Sequence, residues 1–326
     1  MSQGMLGHFG FVKESTWGTA SFAPGSCTNF VELMSENIHV EIDRFETANV
    51  YGGIYERDDS AGIRRVAGQA VFAGHPQNLG YFLNAITGGN STVTSLGTTF
   101  TRTAFNFSTS DTSSLCPVPS YTAEIYRDVT TAQLYTGVAV TQLAMNVAPN
   151  QDLRCTADVI GKISSGSGNL KSTPTFPTSP TGPFTFDTAS LSIGGAAVDL
   201  VEAFTITLNQ NLEGVPALNA TTAIARVRRT NANQVRLSGT IAFENITDYD
   251  RFLNQTEVAA VMSLTKASSF QLILDVPRMV YTAFPTAMPG KERLTVGFEG
   301  MGRYHAGSAS AFQARLTTLV ASGAFS

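Results

Sequence analysis

Residues 65–88, RVAGQAVFAGHPQNLGYFLNAITG, read as a β-strand that leads into a short helix. In the strand part, small or apolar residues alternate with the others, which is the pattern of a strand with one buried face. The residues predicted on that face are Val66, Gly68, Ala70 and Phe72. In the helix part, Pro76 suits a first turn, apolar residues follow at helical spacing, and Gly88 suits the C-terminal end. The stretch therefore predicts a strand and then a helix over residues 76–87.

The same pattern returns in residues 236–254, RLSGTIAFENITDYDRFLN. The spacing Arg-x-x-Gly-x-x-x-Phe is repeated, and the tripeptide Phe-Leu-Asn recurs in the helix with one residue fewer before it. The repeated core positions are Gly68, Phe72, Phe82 and Leu83 in the first stretch, and Gly239, Phe243, Phe252 and Leu253 in the second. The short motif alone would recur by chance in a β-rich chain, but alternating strands also flank both stretches in the same order. We therefore expect a duplicated domain.

Composition changes between the two stretches. Residues 164–184, SSGSGNLKSTPTFPTSPTGPF, are rich in Ser, Thr, Gly and Pro and carry almost no charge, as in a linker or an ordered strap across a neighbour. A chain of 326 residues suits two domains of ordinary size. We predict a mainly β fold of two tandem β-sandwiches, residues 1–163 and 185–326, each with one short flanking helix. The second helix is expected at 247–254, and the second domain ends in a C-terminal arm.

The composition limits the classes of function. Hydrophobic residues make up 43% and charged residues only 14%, which is enough for a real core but little charge for the surface of a free monomer. Such a chain is expected to hide surface in an assembly. The net charge of −4 argues against a basic domain that grips nucleic acid. The N-terminus lacks the apolar region of a signal peptide, and no run approaches the ~18 apolar residues of a membrane span. We expect no membrane contact.

Motifs that carry chemistry are absent from the sequence. There is no G-x-S-x-G, H-E-x-x-H or P-loop, and no G-x-G-x-x-G that leads into a helix. The residues that bind metals most often are scattered without ligand spacing, and the three cysteines suggest buried thiols rather than disulfides; they are His8, His39, His75, His305, Cys27, Cys116 and Cys155. We predict no enzyme, no cofactor and no metal, although a catalytic triad assembled from distant residues is left open.

Residues 43–64 are a long connection between two strands of one hairpin. Long loops in compact domains are usually functional or disordered. Aromatic residues and arginine, which are favoured at interfaces, favour a contact surface here. The proposed contact residues are Phe45, Tyr51, Tyr55 and Arg57. Trp17, the only tryptophan, is expected to plug a domain or subunit surface rather than to stack on a ligand.

Four stretches together resemble major tail tube proteins of long-tailed (siphovirus-like) bacteriophages. GFVKESTWGT (10–19) resembles the opening of that family, and VAGQAVFAGHPQNLGYFLNAITG (66–88) resembles its strand–helix segment. GVAVTQLAMNVAPNQDLRCTADVIGK (137–162) resembles its C-terminal hairpin, and residues 236–254 resemble the same core in a second copy. The ordered set covers most of the chain, excluding the linker and the tail.

The resemblance implies a structural virion protein. It implies small β-sandwich domains whose inner sheets join into a ring, and rings that stack into the hollow tail tube, the conduit for tape-measure protein and genome DNA during ejection. Residues 43–64 would then be a ring-stacking loop, and further partners would be tail terminator and baseplate or tip proteins. Assembly is expected in the host bacterial cytoplasm, with DNA passing non-specifically through the lumen.

Two copies per chain depart from the single-domain members. They predict a three-chain ring with pseudo-sixfold symmetry; the alternative is six chains, with one copy of each lining the lumen. A different structural or binding β-sandwich protein, for capsid decoration or adhesion, is the competing function, and a sugar-active or hydrolytic β-sandwich enzyme is a more distant one.

Alternation also predicts which residues line the channel. Ile38, Val40 and Ile42 are expected to face the core, and the residues between such apolar positions then lie on the opposite face. The predicted lumen-facing residues are Asn37, His39, Glu41, Gln69, Thr205, Thr207, Ser238 and Thr240. Ordinary solvent-facing strand residues would show the same pattern.

Overall fold

The computed structural model describes residues 6–46, 59–96, 100–164, 170–176, 182–198, 200–218, 221–243, 246–267, 270–286, 294–319 and 325. The first half contains helix α1 (Leu79–Ile86) and strands β1 (His8–Lys13), β2 (Phe30–Val31), β3 (Leu33–Glu36), β4 (His39–Glu46), β5 (Asp59–Ala73), β6 (Ser91–Leu96), β7 (Phe100–Asn106), β8 (Tyr121–Tyr126), β9 (Gln133–Val147), β10 (Arg154–Gly161) and β11 (Ile163–Ser164). The second half contains a 3-10 turn (Phe186–Thr188), helix α2 (Thr247–Leu253) and strands β12 (Ala189–Ile193), β13 (Ala196–Ala197), β14 (Val201–Asn209), β15 (Leu212–Val215), β16 (Arg226–Arg229), β17 (Gln234–Ala242), β18 (Val258–Ala267), β19 (Phe270–Ala283), β20 (Thr295–Gly302) and β21 (Gln313–Thr318). The protein is mainly β, as predicted.

One antiparallel ladder runs through both halves; we call it the long ladder. In the first half its strand order is β4-β5-β10-β9, and in the second half it is β14-β17-β20-β19. The two parts are joined where β9 pairs with β14, with Leu208 opposite Leu143. The order of strands in the ladder is therefore the same in the two halves.

A second layer of strands packs against the long ladder. In the first half it consists of β2, β1 and β8 with the N-terminal part of β9. Strand β9 serves both layers, and the left-handed Gly137 (φ +68°) lies near the end of the part paired with β8, two residues before the part paired with β10 begins at Ala139. A residue without a side chain adopts that conformation at little cost. The buried apolar residues between the layers form one large core that includes residues of both halves.

Helix α1 confirms the predicted strand–helix unit. It begins at Leu79 rather than at Pro76, because residues 76–78 form a turn that ends at the N-cap Asn78. Gly88, just beyond the C-cap, has φ +81°, as expected of a helix-ending glycine. Phe82 stacks on Phe72 with ring centroids 4.2 Å apart, which fastens the helix to β5.

Segments from each half cross onto the other. Hairpin β6–β7, which belongs to the first half, pairs with β21 and so extends the second half's outer layer, in which β12, β18, β19 and β21 are neighbours. In return, Phe325 near the C-terminus packs on Tyr81 of α1, with ring centroids 5.0 Å apart. The described residues 91–96 and 100–106 and the described residues after Gly302 therefore connect the two halves.

Residues 170–176 of the linker form a strap on the first half. Ser172 donates its backbone N–H and its hydroxyl to the two carboxylate oxygens of Glu124, each at 2.8 Å. The same hydroxyl accepts a hydrogen bond from the backbone N–H of Cys27, and His8 Nε2 lies 2.9 Å from Glu124. Glu124 is buried, so these bonds compensate its carboxylate for lost water. Burial acts to raise the pKa of the Glu124 carboxyl. The hydrogen bonds from His8 and Ser172 outweigh burial and hold this pKa below its usual value.

Candidate assembly and channel surfaces

The face of the long ladder that points away from the core carries rows of polar side chains. One row is Gln69, Asp158, Gln142, Asn209 and Gln234, which lie opposite one another on five neighbouring strands. Gln142 Nε2 donates to Asp158 Oδ2 at 3.1 Å, and Asn209 Nδ2 donates to Gln142 Oε1 at 3.1 Å. The row therefore continues across the junction of the two halves. We call this surface the polar face.

The eight residues predicted to face the lumen are all half-buried or exposed. On β14 and β17, Thr205 lies opposite Ser238 and accepts a hydrogen bond from Asn146 Nδ2 at 2.7 Å. In the first half, Asn37 precedes β4 and its Oδ1 accepts from the backbone N–H of Gln69 at 2.6 Å. The remaining four, which have the same alternation on strands of the ladder, are His39, Glu41, Thr207 and Thr240. They form one polar face; that this face lines a channel is not tested by these contacts and stays a prediction.

Charges of both signs lie on the polar face. Arg65 Nε donates to Glu41 Oε2 at 2.7 Å, and this bond raises the pKa of the Arg65 guanidinium. Burial raises the pKa of the Asp158 carboxyl. Over the second half the face is hollow, and the lining of that hollow includes Thr207, Asn209, Arg236, Ser238 and Glu299. The face is polar and carries acidic as well as basic side chains.

The long connection between β4 and β5 in the first half lies largely outside the described residues, whereas its counterpart in the second half is largely described. Strand β4 ends at Glu46 and strand β5 begins at Asp59, so the connection between them is shorter than the predicted loop of residues 43–64. Phe45 lies in β4, and its side chain is exposed. Tyr51, Tyr55 and Arg57 lie outside the described residues, and their role in ring stacking stays a prediction. The corresponding part of the second half contains hairpin β15–β16.

Hairpin β15–β16 packs on the first half over Trp17. Trp17 is buried in a cluster with Ile224 and Val227 of the second half, and its Nε1 donates to the carbonyl of Gly137 at 3.2 Å. The backbone N–H of Val227 donates to the carbonyl of Leu115 at 2.8 Å. Trp17 is thus buried where residues of the two halves of the chain meet. Sequence reasoning missed its partners, although the apolar Ile224 and Val227 within a loop-like segment were a signal.

Glu14 is a second residue whose role the sequence did not reveal. Its buried carboxylate accepts hydrogen bonds from the hydroxyls of Ser120 and Thr122 at 2.7 and 2.9 Å and from the backbone N–H groups of Gly18 and Gly137, both at 2.8 Å. Four donors compensate a buried carboxylate for the loss of water. Glu14 therefore ties the segment 10–19 to β8 and β9.

The repeated core positions are not equally buried. Phe72, Phe82 and Leu83 are buried in the first half, whereas Phe243 and Phe252 are only partly buried. Leu253 was expected in the core, and that expectation is wrong for the single chain: its side chain is exposed. The physical reason is that α1 is covered by β1 and by Phe325, while all seven residues of α2 remain exposed or half-buried.

The described residues contain no cluster of three or more His, Cys, Asp or Glu side chains suited to a metal ion. Neither described helix has the length and apolar character needed to cross a membrane. Cys27, Cys116 and Cys155 are free and buried, in agreement with the expected thiols.

A search of curated protein sequences finds no match to this chain. A comparison with protein families does: the model of the family described as phage tail tube protein matches residues 6–302. The match includes the segment around Glu14, both strand–helix units, the strap and all eight strands of the long ladder. The chain therefore belongs to the phage tail tube protein family and is a structural component of the virion tail.

Proposed function

We propose that the chain polymerises as stacked rings into a hollow tube through which tape-measure protein and genome DNA pass during ejection. The observation that carries this proposal is the long ladder with its polar face. Strand β4 pairs with β5 on one side and with no described strand on the other, and residues 280–283 of β19 pair only with β20 among the described strands. Unpaired strand edges are templates for pairing with another chain, and closure into a ring removes them.

The two halves act in this proposal as tandem tail tube domains, residues 1–163 and 185–326, joined by the linker 164–184. Their equal strand orders support a duplication. Three chains would then supply six domains around the bore in a closed ring with heterologous contacts. The pairing of β9 with β14 favours three chains over six, because it places both halves in one ladder instead of one half inside and the other outside.

The polar face would line the channel and stay free of tight contacts with its cargo. Each phosphate that Lys or Arg neutralises adds salt-dependent affinity for DNA, and here Arg65 is already paired with Glu41. DNA and tape-measure protein would thus pass without specific binding. The tail terminator and the baseplate or tip proteins would contact the two ends of the tube, and assembly would take place in the host cytoplasm.

Native mass spectrometry of the purified protein, combined with negative-stain microscopy, tests this proposal. We expect rings with the mass of three chains, alone or stacked into hollow tubes. A six-chain ring would contradict the trimer but keep the tube. A protein that stays monomeric under all assembly conditions would contradict the tube itself and favour capsid decoration or adhesion.

A further inference from the structure

Two apolar surfaces remain uncovered at opposite ends of the long ladder. One is on the second half, where Ile246 and Leu253 at the two ends of α2 are 63% and 58% exposed. The other is on β4, where Ile42, on the side of the strand that carries Ile38 and Val40, is 47% exposed. Exposed apolar patches of this kind mark interaction sites more often than scattered single residues do.

Both surfaces have buried counterparts inside the chain. Leu253 matches Leu83 in the repeated Phe-Leu-Asn tripeptide, and Leu83 is 0% exposed. Ile42 matches Leu208 because each lies opposite the residue that precedes the repeated arginine. Ile42 lies opposite Arg64, the residue before Arg65 on β5. Leu208 lies opposite Val235, the residue before Arg236 on β17. Leu208 is also 0% exposed. Each repeated position is therefore buried in one half and exposed in the other. The buried copies are Leu83 and Leu208, and the exposed copies are Leu253 and Ile42.

The internal junction shows how these positions become buried. Strand β14 of the second half pairs with β9 of the first half, and Gln210, directly after β14, donates from its Nε2 to the carbonyl of Ile86 at the end of α1. Gln210 is itself buried. Leu83 and Leu208 belong to the same apolar core. The end of the helix of one half and the residue that follows the first ladder strand of the other half are thus joined by a hydrogen bond.

We infer that α2 of one chain packs against β4 of a second copy of this chain, so that Ile246 and Leu253 meet Ile42. This inference rests on the proposed ring and names the contact that closes it. The occupant is a second copy because the chain already contains the corresponding junction, in which Gln210, directly after β14, is hydrogen-bonded to the end of α1. The two surfaces are different parts of the chain, so the contact is heterologous and can close a ring.

Cysteine cross-linking tests this contact directly. The three native thiols are buried, and burial raises the pKa of Cys27 and Cys116 to about 11, so introduced exposed cysteines react selectively near neutral pH. A chain with Leu253→Cys and Ile42→Cys, treated with a short bismaleimide after assembly, should give a ladder of covalent dimers and trimers on a denaturing gel. The matched control mixes the two single variants, which should give dimers and nothing larger. Either single variant alone should give monomers.

A charged substitution provides an independent measurement. Because Leu253 is exposed in the single chain, Leu253→Asp should leave the melting temperature of the unassembled protein unchanged. We expect it to raise the protein concentration needed for ring formation about tenfold or more, the change that corresponds to loss of a buried apolar side chain at the contact. Val129→Asp, at an exposed apolar residue in the turn between β8 and β9, should have no effect.

The outcomes separate this inference from the ring itself. Rings that form without cross-links between chains, or with cross-links only within one chain, would overturn the α2–β4 contact and leave the ring standing. Rings of Leu253→Asp that form at the wild-type concentration would do the same. A wild-type protein that never forms rings would overturn the ring and this contact together.

Discussion

At the scale of single residues, two glycines explain why the repeated stretch keeps its pattern. Gly68 has φ +141°, and a Cβ atom at that position would lie 2.6 Å from the carbonyl oxygen of Asn37 and from Cα of Ile38. A Cβ atom on Gly239 would lie 2.8 Å from the carbonyl oxygen of Ala203. In each half the neighbouring strand passes directly over the glycine, so only a residue without a side chain fits.

Alanine substitutions should measure this constraint. We expect Gly68→Ala and Gly239→Ala each to lower the free energy of unfolding by about 1–3 kcal/mol, because backbone must move to admit the methyl group. Gly297→Ala on neighbouring β20 is the matched control, since the nearest atom to its Cβ is 4.0 Å away. Urea denaturation of the unassembled chains gives the comparison. Equal stability of all three variants would show that the close approach does not constrain the fold.

At the scale of elements, the two long connections are the main difference between the halves. Hairpin β15–β16 lies on the first half of its own chain, where the backbone N–H of Arg64 donates to the carbonyl of Thr222 at 2.7 Å. Strand β4, which precedes the corresponding connection of the first half, pairs with β5 and with no other described strand. We predict that the connection between β4 and β5 contacts other chains in ring stacking.

Replacing residues 47–58 by a short Gly/Ser turn should test that role. Strands β4 and β5 remain whole in this variant, so we expect folded subunits with an unchanged melting temperature that no longer form long tubes. The control replaces residues 129–131, the turn before β9, with Gly and Ser at the same length. Sedimentation and negative-stain microscopy measure tube length. Long tubes from the 47–58 variant would exclude this connection as the stacking element.

At the scale of the whole molecule, the polar face determines how the proposed channel treats DNA. We predict that Glu41→Lys combined with Thr207→Lys leaves assembly intact but slows DNA ejection, most strongly at low salt, because added cations on the lining bind phosphates. Virions carrying Glu32→Lys with Ser114→Lys have the same change in charge at exposed residues outside β4 and β14, and they should eject DNA at the wild-type rate. Locating Glu41 and Thr207 on the outer wall of the ring would end this hypothesis.

Local patterns in the sequence determined the elements and their faces. The helices predicted over 76–87 and 247–254 are present as α1 and α2, and the alternating residues on β14 and β17 lie on the predicted polar face. These features follow from the periods of helix and strand, which the backbone imposes on any short stretch whatever surrounds it.

Only the tertiary structure decided which faces are covered. Leu83 and Leu253 stand in the same tripeptide, yet one is buried and the other exposed. Nothing near them in the sequence marks the difference, because α1 is covered by β1 and by Phe325, residues far away along the chain. The same holds for Trp17, whose cover comes from Ile224 and Val227. The periodicity of the sequence predicts which face of an element is apolar. Contacts with residues far away along the chain decide whether that face is buried within the chain or remains exposed.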